Sequence, residues 1–404
     1  MSITSNSCLE INNTDLETWG GAHTAAEIAQ QPAVWKEVRA LVARNSARIN
    51  EFLEPLLAHK DLRIILTGAG TSAFIGKCMA PQMLQKLGRR VEAIPTTDLV
   101  SGPELFFQRD VPTLMVSFAR SGSSPESLAA VNLANWFCGK IHHLIFTCNE
   151  QGELFQNSLG KKNVCTVLLP HQTHDRGFAM TSSFTSMLYS ASLVFDLVGM
   201  QEANSRMISS AAADVIARSL PLIRSMVDQR FERVVYLGSN ELCGLAQEAA
   251  LKLLELTDGK VVAVFDSPLG FRHGPKTIVN DRTLVVVFLS NQSYTRQYDL
   301  DLLRELQRDG KAGRVVALSA GAGAGAIAGA IDKQQLEDNP DYFQIDGVGQ
   351  ASNLELALPY IVFAQIFSFL QSLAVGNTPD QPSSSGTVSR VVRGVQIYPV
   401  VSEA

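Results

Sequence analysis

The feature that most constrains the fold is an internal repeat with a period of 170 residues. Three pairs of short apolar runs keep this separation: residues 63–68 with 233–238, 113–118 with 283–288, and 144–147 with 314–317. The first pair, RIILTG and RVVYLG, also ends in glycine in both copies. Three runs in one register predict that the chain contains two copies of one structural unit.

The repeated runs have the character of buried parallel strands. Each is continuous, apolar and bounded by turn residues, which is typical of a strand covered on both faces. Helix-length segments alternate with them, at Thr71–Gly88, Ser124–Cys138 and Asn240–Leu256. This alternation predicts a doubly wound α/β fold with right-handed crossovers. We therefore predict a helical arm (1–49, its helix over 25–58), two α/β domains (50–210 and 211–375) and a tail (376–404).

Two segments fall outside the repeated pattern. The Gly/Ala-rich stretch Ala320–Ala330 predicts a loop and then a helix of small residues, with a phosphate cradle as the alternative. In the tail, Asn377–Gly386 is rich in turn residues and predicts irregular structure, whereas Val388–Val401 has strand-like pieces.

Composition excludes several classes of protein. The net charge of −5 and the pI of about 5.9 argue against a nucleic-acid-binding protein. No run approaches the roughly 18 apolar residues of a membrane helix, and the N-terminus lacks a signal pattern, so we expect a cytoplasmic protein. Six scattered cysteines without a CxxC pair predict reduced, mostly buried thiols. His171 and His174 lack the partners of a metal site, so we predict neither a metal nor another cofactor.

Two loops of the first repeat are suited to binding phosphate. Residues 67–72 (TGAGTS) and 117–126 (SFARSGSSPE) each follow a strand and open a helix. Ligands of such sheets bind beyond the carboxyl ends of the strands. Glycine lets backbone amides approach an anion at a helix N-terminus, hydroxyls donate to it, and Arg120 adds positive charge. Ser123 or Ser124 before Pro125 is also a good helix start, and both interpretations can hold together.

The second repeat lacks these features. Gly238–Asn240 keeps some polarity, but Leu289–Ser293 has neither glycine nor arginine. The duplication is therefore asymmetric: we predict that the first copy binds the anion and the second supplies other groups.

Candidate acid–base residues lie on the helix predicted at Asn240–Leu256. Glu248, Lys252 and Glu255 share one stripe, because they are four and then three residues apart. On spacing alone, a solvated ladder of ion pairs is the favoured interpretation. Glu255, however, stands near the helix C-terminus, where a carboxylate is electrostatically disfavoured, and this placement suits a general base.

A second candidate is His273, which precedes Gly274 and Pro275 in a turn that we expect to be rigid. Asp266 and Arg272 are close enough in sequence to tune it. Taken alone, a loop histidine is more often a surface residue than a functional one.

These motifs together resemble a double sugar isomerase (SIS) domain. The resemblance rests on residues 68–72, 119–124, 250–255 and 272–275 and covers about residues 50–400. It implies two tandem flavodoxin-like domains, each a parallel sheet flanked by helices, similar to the isomerase half of glucosamine-6-phosphate synthase without its amidotransferase half. Residues 117–127 and 386–392 resemble in particular the AgaS group, which is described as galactosamine-6-phosphate deaminase/isomerase or tagatose-6-phosphate ketose/aldose isomerase.

The resemblance also implies roles for residues. The phosphate of the sugar would be held by Gly70, Thr71, Ser72, Arg120, Ser121 and Ser124. Glu255 would move the proton between C1 and C2, and Lys252 would support the glutamate or the sugar hydroxyls. His273 would open the sugar ring. It would come from the partner subunit of a homodimer with a shared active site. Asp175 and Thr181 would line the sugar pocket.

The sequence departs from the family pattern at two places. Ala119 stands where the family offers a serine before the phosphate loop. The synthase also has a lysine after its own Asp-Gln-Pro-like turn, which holds the ketose, whereas no lysine follows Asp380–Pro382 here. The resemblance therefore does not extend to amination in the synthetic direction.

The predicted function is conversion of galactosamine 6-phosphate to tagatose 6-phosphate and ammonia by a 1,2 proton shuttle. One alternative is aldose–ketose isomerisation of a hexose 6-phosphate without deamination, which uses the same shuttle. Another is a non-catalytic sugar-phosphate sensor. A transcription-factor sensor would bring a basic helix-turn-helix, and none is evident in Met1–Lys60.

Overall fold

The computed structural model of the chain describes residues 7–320, 339–392 and 394–399. A small antiparallel ribbon comes first, with β1 at Ser7–Cys8 and β2 at Ile11–Asn12. Helix α1 (Asn13–Thr18) follows, and the side chain of Asn12 caps it by accepting from the Asp15 amide. The 36-residue helix α2 (Ala22–Leu57) then completes the N-terminal arm. It begins three residues earlier than predicted.

The first half of the repeat is a five-stranded parallel sheet in the order β4-β3-β5-β6-β7. Its strands are β3 (Arg63–Thr67), β4 (Arg90–Ala93), β5 (Thr113–Ala119), β6 (Ile141–Thr147) and β7 (Val164–Leu168). Its helices are α3 (Thr71–Leu87), α4 (Thr96–Ser101), α5 (Pro103–Phe106), α6 (Pro125–Phe137), α7 (Glu153–Gln156) and α8 (Ser182–Val194).

The second half builds another five-stranded parallel sheet, in the equivalent order β9-β8-β10-β11-β12. Its strands are β8 (Arg233–Gly238), β9 (Val262–Asp266), β10 (Thr283–Phe288), β11 (Arg314–Ala320) and β12 (Tyr342–Ile345). Its helices are α9 (Glu202–Arg218), α10 (Leu220–Asp228), α11 (Glu241–Leu256), α12 (Pro268–Phe271), α13 (Ser293–Asp309) and α14 (Asn353–Ala374). This shared strand order is that of flavodoxin-like folds, so the predicted fold class is confirmed.

Strand register confirms the repeat and corrects one part of it. Arg63 pairs with Thr113 in the first sheet and Arg233 with Thr283 in the second, at the predicted separation of 170. The third pair is displaced by two residues: Leu114 pairs with His142, but Leu284 pairs with Arg314, so β6 and β11 are 172 residues apart. The even displacement keeps the same side chains on the same face of each sheet.

Backbone conformation after the first strand is also repeated. Gly70 has φ 55° and ψ −128°, and Asn240, 170 residues later, has φ 54° and ψ −117°. Gly68 and Gly238 both pack tightly on the helix that follows, because an added Cβ would lie 2.6 Å from Ser72 or 2.4 Å from Leu242. Each copy therefore turns from strand to helix in the same way.

The two halves share one hydrophobic core. Helix α11 of the second half packs directly on α3 of the first, where a Cβ on Gly244 would lie 2.8 Å from the Cys78 backbone nitrogen. On its other side α11 packs on α14. Helix α14 is the one described helix long and apolar enough to cross a membrane, but 94% of its most apolar window is buried inside the protein.

Other predictions met mixed outcomes. All six cysteines are free and four are buried, as predicted. The strand-like pieces predicted in Val388–Val401 are wrong for residues 388–392 and 394–399, which form no strand in the structure. The loop and small-residue helix predicted over Ala320–Ala330 lie outside the described residues beyond Ala320. The predicted division at residues 49/50, 210/211 and 375/376 stays a prediction.

Candidate active site

The first predicted phosphate loop lies where β3 ends and α3 begins. Thr71 and Ser72 are buried in the first turn of α3. Gly70, just before this turn, has the positive φ with which the chain passes from the strand into the helix. Two buried hydroxyls here, those of Thr67 and Thr71, make no hydrogen bond of ordinary length in the described chain, although that of Thr71 lies near the Glu248 carboxylate. The hydroxyl of Ser117, which pairs with Thr67 across the sheet, shares this property. Buried polar groups are normally satisfied, so this cluster is suited to donate to a bound anion.

The second loop follows β5, the neighbouring strand. Its turn has Gly122 at φ 67°, and Asn149 holds it by donating 2.8 Å to the Ser121 carbonyl. Ser124 is the N-cap residue of α6 and Pro125 its first residue, so the predicted helix start is confirmed. The Ser124 hydroxyl bonds to Ser127 at 2.6 Å rather than to a backbone amide.

Arg120 belongs to this second loop, and it is buried against other parts of the chain. Its two terminal nitrogens donate to the carbonyls of Phe178, at 3.0 Å, and Arg390, at 2.6 Å. Neither bond neutralises the guanidinium, because both acceptors are uncharged carbonyls. The positive charge predicted for the phosphate loop is therefore present beside it.

The side chains of Asp175 and Thr181 are both fully buried. The Asp175 carboxylate accepts from the backbone amides of Thr181, Ser182 and Ser183, and so caps the start of α8. The hydroxyls of Thr181 and Ser183 also donate to it. These internal bonds occupy both carboxylate oxygens, and the lining of a sugar pocket by these two residues stays a prediction.

Three charged side chains on α11 form the chemical centre of the second half. Lys252 donates to Glu255 and lies 3.6 Å from Glu248. The side chains of Glu248 and Lys252 have no exposed surface, and that of Glu255 is 24% exposed. The solvated ion-pair ladder favoured by spacing alone is therefore wrong, because the side chains of Glu248 and Lys252 are buried inside the protein and only that of Glu255 reaches toward solvent.

Burial sets the protonation of this group. It raises the pKa of Glu248 to about 8, against the opposing effect of Lys252, and the charge of Glu255 raises it further. Burial alone would lower the pKa of Lys252, but the two carboxylates outweigh it and the net shift is upward. The two carboxylates therefore favour the charged ammonium, while burial makes Glu248 harder to ionise than an exposed glutamate.

The phosphate loops and the α11 residues belong to one region. The Thr71 hydroxyl is near enough to Glu248 to favour its ionised form, and the charge of Arg120 acts on Lys252. Direct packing of α11 on α3 produces this proximity. The predicted phosphate-binding residues and the predicted acid–base residues therefore lie near one another, and binding of a sugar between them stays a prediction.

The equivalent region of the second half is filled by its own carboxylate. Asp299, buried on α13, accepts from the Ser239 hydroxyl and from the Ser290 amide at 2.9 Å. Ser239 and Ser290 follow β8 and β10, as the two phosphate loops follow β3 and β5. A buried carboxylate therefore occupies this region of the second copy, and anion binding by the first copy stays a prediction.

His273 lies apart from these groups. It is exposed just beyond α12, in a turn that Gly274 makes with φ 119°. Arg272 pairs with Glu305, and Asp266 accepts from the Ser267 amide, so tuning of His273 by these two residues stays a prediction. In the described part of the chain, no side-chain hydrogen bond links His273 to the phosphate loops or to α11.

Sequence reasoning passed over three polar residues that the structure brings to the loops. Thr67 and Ser117 are in the quoted motifs, but only their position at the carboxyl end of adjacent strands reveals their role. Asn149 holds the Ser121 loop from the end of β6. For Thr67 and Asn149 the available signal was a polar residue at or just beyond the end of a buried strand, whereas Ser117 lies two residues before the end of β5.

Family comparison agrees with this architecture. The SIS domain family matches residues 56–197, the part that contains the first sheet and both phosphate loops. The equivalent strand order of the second sheet gives it the same fold. The chain therefore contains one SIS-family domain, followed by a second domain of the same strand order.

Longer matches identify the family within this class. The Escherichia coli protein named D-galactosamine-6-phosphate deaminase AgaS is 47% identical over 398 residues, covering 96% of this chain and 98% of the relative. Its namesake from Shewanella sp. (strain ANA-3) is 42% identical over 399 residues, covering 97% and 96%. The crystal structure of tagatose-6-phosphate ketose/aldose isomerase from Escherichia coli has a TM-score of 0.81 and 43% identity, covering 95% and 98%. The chain belongs to the AgaS family.

Proposed function

We propose that this chain is an enzyme that converts galactosamine 6-phosphate to tagatose 6-phosphate and ammonia. The observation that carries the proposal is the buried set Glu248, Lys252 and Glu255 on α11, packed against the phosphate loop that opens α3. The loop that opens α3 carries groups that suit an anion, and α11 presents a single partly exposed carboxylate, that of Glu255. The names of the similar AgaS proteins supply the substrate.

The chemistry follows from what each group can do. With the sugar ring opened, Glu255 takes the proton from C2, and electrons move to form an enolamine between C1 and C2. Return of the proton to C1 leaves an imine at C2, and water adds to it with release of ammonia and formation of the ketose. Lys252 donates to Glu255 and so fixes the orientation of the base. General acid–base groups of this kind contribute about 100- to 10,000-fold to rate.

His273 is assigned to ring opening in a site shared between two copies of the chain. It is exposed, and three exposed apolar side chains precede it in the chain: Val262 and Phe265 on β9, and Leu269 on α12. Exposed apolar groups on an edge strand favour association with another protein surface. A homodimer would cover this face and bring His273 of one copy to the α11 carboxylate of the other.

We also assign the enzyme to the cytoplasm. Six free cysteines, four of them buried, suit a reducing compartment.

The second candidate is isomerisation without deamination, which the name of the similar Escherichia coli structure favours. The proton shuttle is the same in both reactions, and only the fate of nitrogen differs.

The deciding experiment incubates the purified protein with galactosamine 6-phosphate, glucosamine 6-phosphate and tagatose 6-phosphate, and measures ammonia and ketose separately. The proposal requires ammonia and tagatose 6-phosphate in equal amounts from the first substrate. Interconversion of hexose phosphates without ammonia would establish the isomerase instead. Binding of all three sugars without any turnover would establish a sensor.

A further inference from the structure

The C-terminal tail brings an arginine to the phosphate loop. Arg390 donates to two carbonyls of the loop that precedes α8, those of Asp175 and Gly177, the latter at 3.2 Å. Its own carbonyl accepts from Arg120 at 2.6 Å. Arg120 bonds in turn to the Phe178 carbonyl of the same loop. The two arginines thus enclose residues 175–178, one from the phosphate loop and one from the tail.

The tail is also anchored before Arg390. Asp380 accepts from the amides of His23 and Thr24, at 3.0 and 2.7 Å, and from the Thr24 hydroxyl, all at the start of α2. Its carbonyl accepts from the Phe178 amide at 3.2 Å. Arg390 therefore follows a segment that is already fixed against the same loop, and it is not part of a fraying end.

Positive charge accumulates where these segments meet. Burial and the charge of Arg120 lower the pKa of Arg390, while Glu27 and Asp175 oppose the shift. Burial, with the charges of Arg390 and Arg120, lowers the pKa of His174 to about 4.

Neither nearby carboxylate neutralises the pair directly. Asp175 caps α8, and Glu27 accepts from the amides of Arg176 and Gly177. Among the described residues, all side-chain hydrogen bonds of Arg120 and Arg390 end on carbonyls.

We propose that Arg390 is a positioning residue of the phosphate subsite: its side chain holds the 175–178 loop, and its backbone carbonyl, fixed in place by those bonds, orients Arg120 for an anionic sugar end. The inference rests on the proposed phosphate-binding function of the first repeat. A bound phosphate supplies the negative charge that the two arginines lack, so occupancy of the loops and closure of the tail stabilise each other. Charge-assisted contacts of this kind are stronger than neutral ones.

The test compares Arg390→Ala and Arg390→Lys with the wild-type enzyme. For Arg390→Ala we expect the KM for galactosamine 6-phosphate and the inhibition constant for inorganic phosphate to rise about 10-fold or more, with kcat reduced less than about threefold. Arg390→Lys should recover part of the lost affinity. Lysine keeps the positive charge, but it lacks the fork of N–H donors with which arginine bonds to two carbonyls at once. Val392→Ala, an exposed tail substitution, serves as the matched control.

A fall in kcat with unchanged KM and unchanged phosphate inhibition would overturn the proposal. Calorimetric titration with inorganic phosphate separates it from the proposed reaction, because binding needs no turnover. If the wild-type protein releases no ammonia but Arg390→Ala still weakens phosphate binding, the reaction assignment fails and the role of Arg390 stands. If Arg390→Ala does not fold, the Arg390→Lys comparison decides: phosphate affinity equal to wild type, with the tail equally resistant to protease with and without phosphate, refutes the role.

Discussion

Glu248 and Lys252 lie 3.6 Å apart, and neither side chain has exposed surface. One turn further along α11, Lys252 also donates to Glu255, the partly exposed member of the set. Burial of charged groups costs more in desolvation than exposure does, and buried, interacting titratable groups are frequent at functional sites, which supports the chemical role proposed for this set.

The first prediction concerns the proposed base. Glu255→Gln removes the proton acceptor but keeps the size of the side chain and its capacity to accept from Lys252. We expect kcat for ammonia release to fall about 1,000-fold, within the range for loss of a general base. Calorimetry should show sugar-phosphate binding within about threefold of wild type, because the phosphate loops are untouched.

Glu202→Gln, at an exposed position on α9, is the control and should retain full activity. Full activity of Glu255→Gln would remove Glu255 from the reaction.

The second prediction tests the shared site. Glu255→Gln and His273→Asn should each be inactive alone. If His273 acts on the α11 carboxylate of the other copy, mixing the two variants under conditions that exchange subunits gives heterodimers with one intact site. Random exchange then restores about a quarter of the wild-type activity. No recovery, with exchange verified by tagged subunits, would place both residues in the same copy.

The third prediction is a pH dependence of stability. Burial raises the pKa of Glu248 to about 8, so the folded state holds a proton that the unfolded state releases near 4.5. Stability is therefore greatest below about 4.5 and declines as pH rises to about 8, by at most about 1.4 kcal/mol per pH unit. Glu248→Gln removes this slope. Urea unfolding between pH 5.5 and 7.5 should show wild type losing more stability than the variant.

Glu27, whose pKa burial also raises to about 8, contributes equally to both proteins and cancels in the comparison. Parallel pH profiles of the two proteins would show that Glu248 is ionised throughout.

The fold was largely predictable because it follows from local patterns of apolar residues in the sequence. Apolar runs at a constant spacing predicted the strands, and two of the three pairs keep the register to the residue. The third is displaced by two residues because the loop and helix between β10 and β11 are longer than those between β5 and β6. Hydrophobic pattern alone does not detect such a change, since an even displacement preserves the buried face.

The site was predictable only where its residues are close in sequence. Spacing on one helix grouped Glu248, Lys252 and Glu255, but their burial depends on α3, which begins at Thr71, far earlier in the chain. The bond between Arg120 and Arg390 joins residues 270 positions apart. Contacts at such separations arise from tertiary packing, which periodicity does not encode.

The fourth prediction addresses the carboxylate that fills the second half. Asp299→Ala leaves the Ser290 amide and the Ser239 hydroxyl without their acceptor, and we expect a loss of about 1–3 kcal/mol in the free energy of unfolding. The KM for the sugar phosphate should not change, because the proposed phosphate site lies in the first half. Asp301→Ala, on an exposed face of the same helix, is the control for stability. A KM that rises with Asp299→Ala would assign anion binding to the second half.

The last prediction concerns the backbone of the first phosphate loop. Gly70 has φ 55° and ψ −128°, and an added Cβ would meet no atom within 4 Å, so substitution there carries conformational strain without a clash. Gly70→Ala should therefore destabilise the protein by about 1–3 kcal/mol. Gly70→Asn should cost less, because Asn240 adopts nearly the same conformation in the second half. Equal losses for the two variants, measured by urea unfolding, would show that an unseen contact rather than backbone strain excludes side chains from this turn.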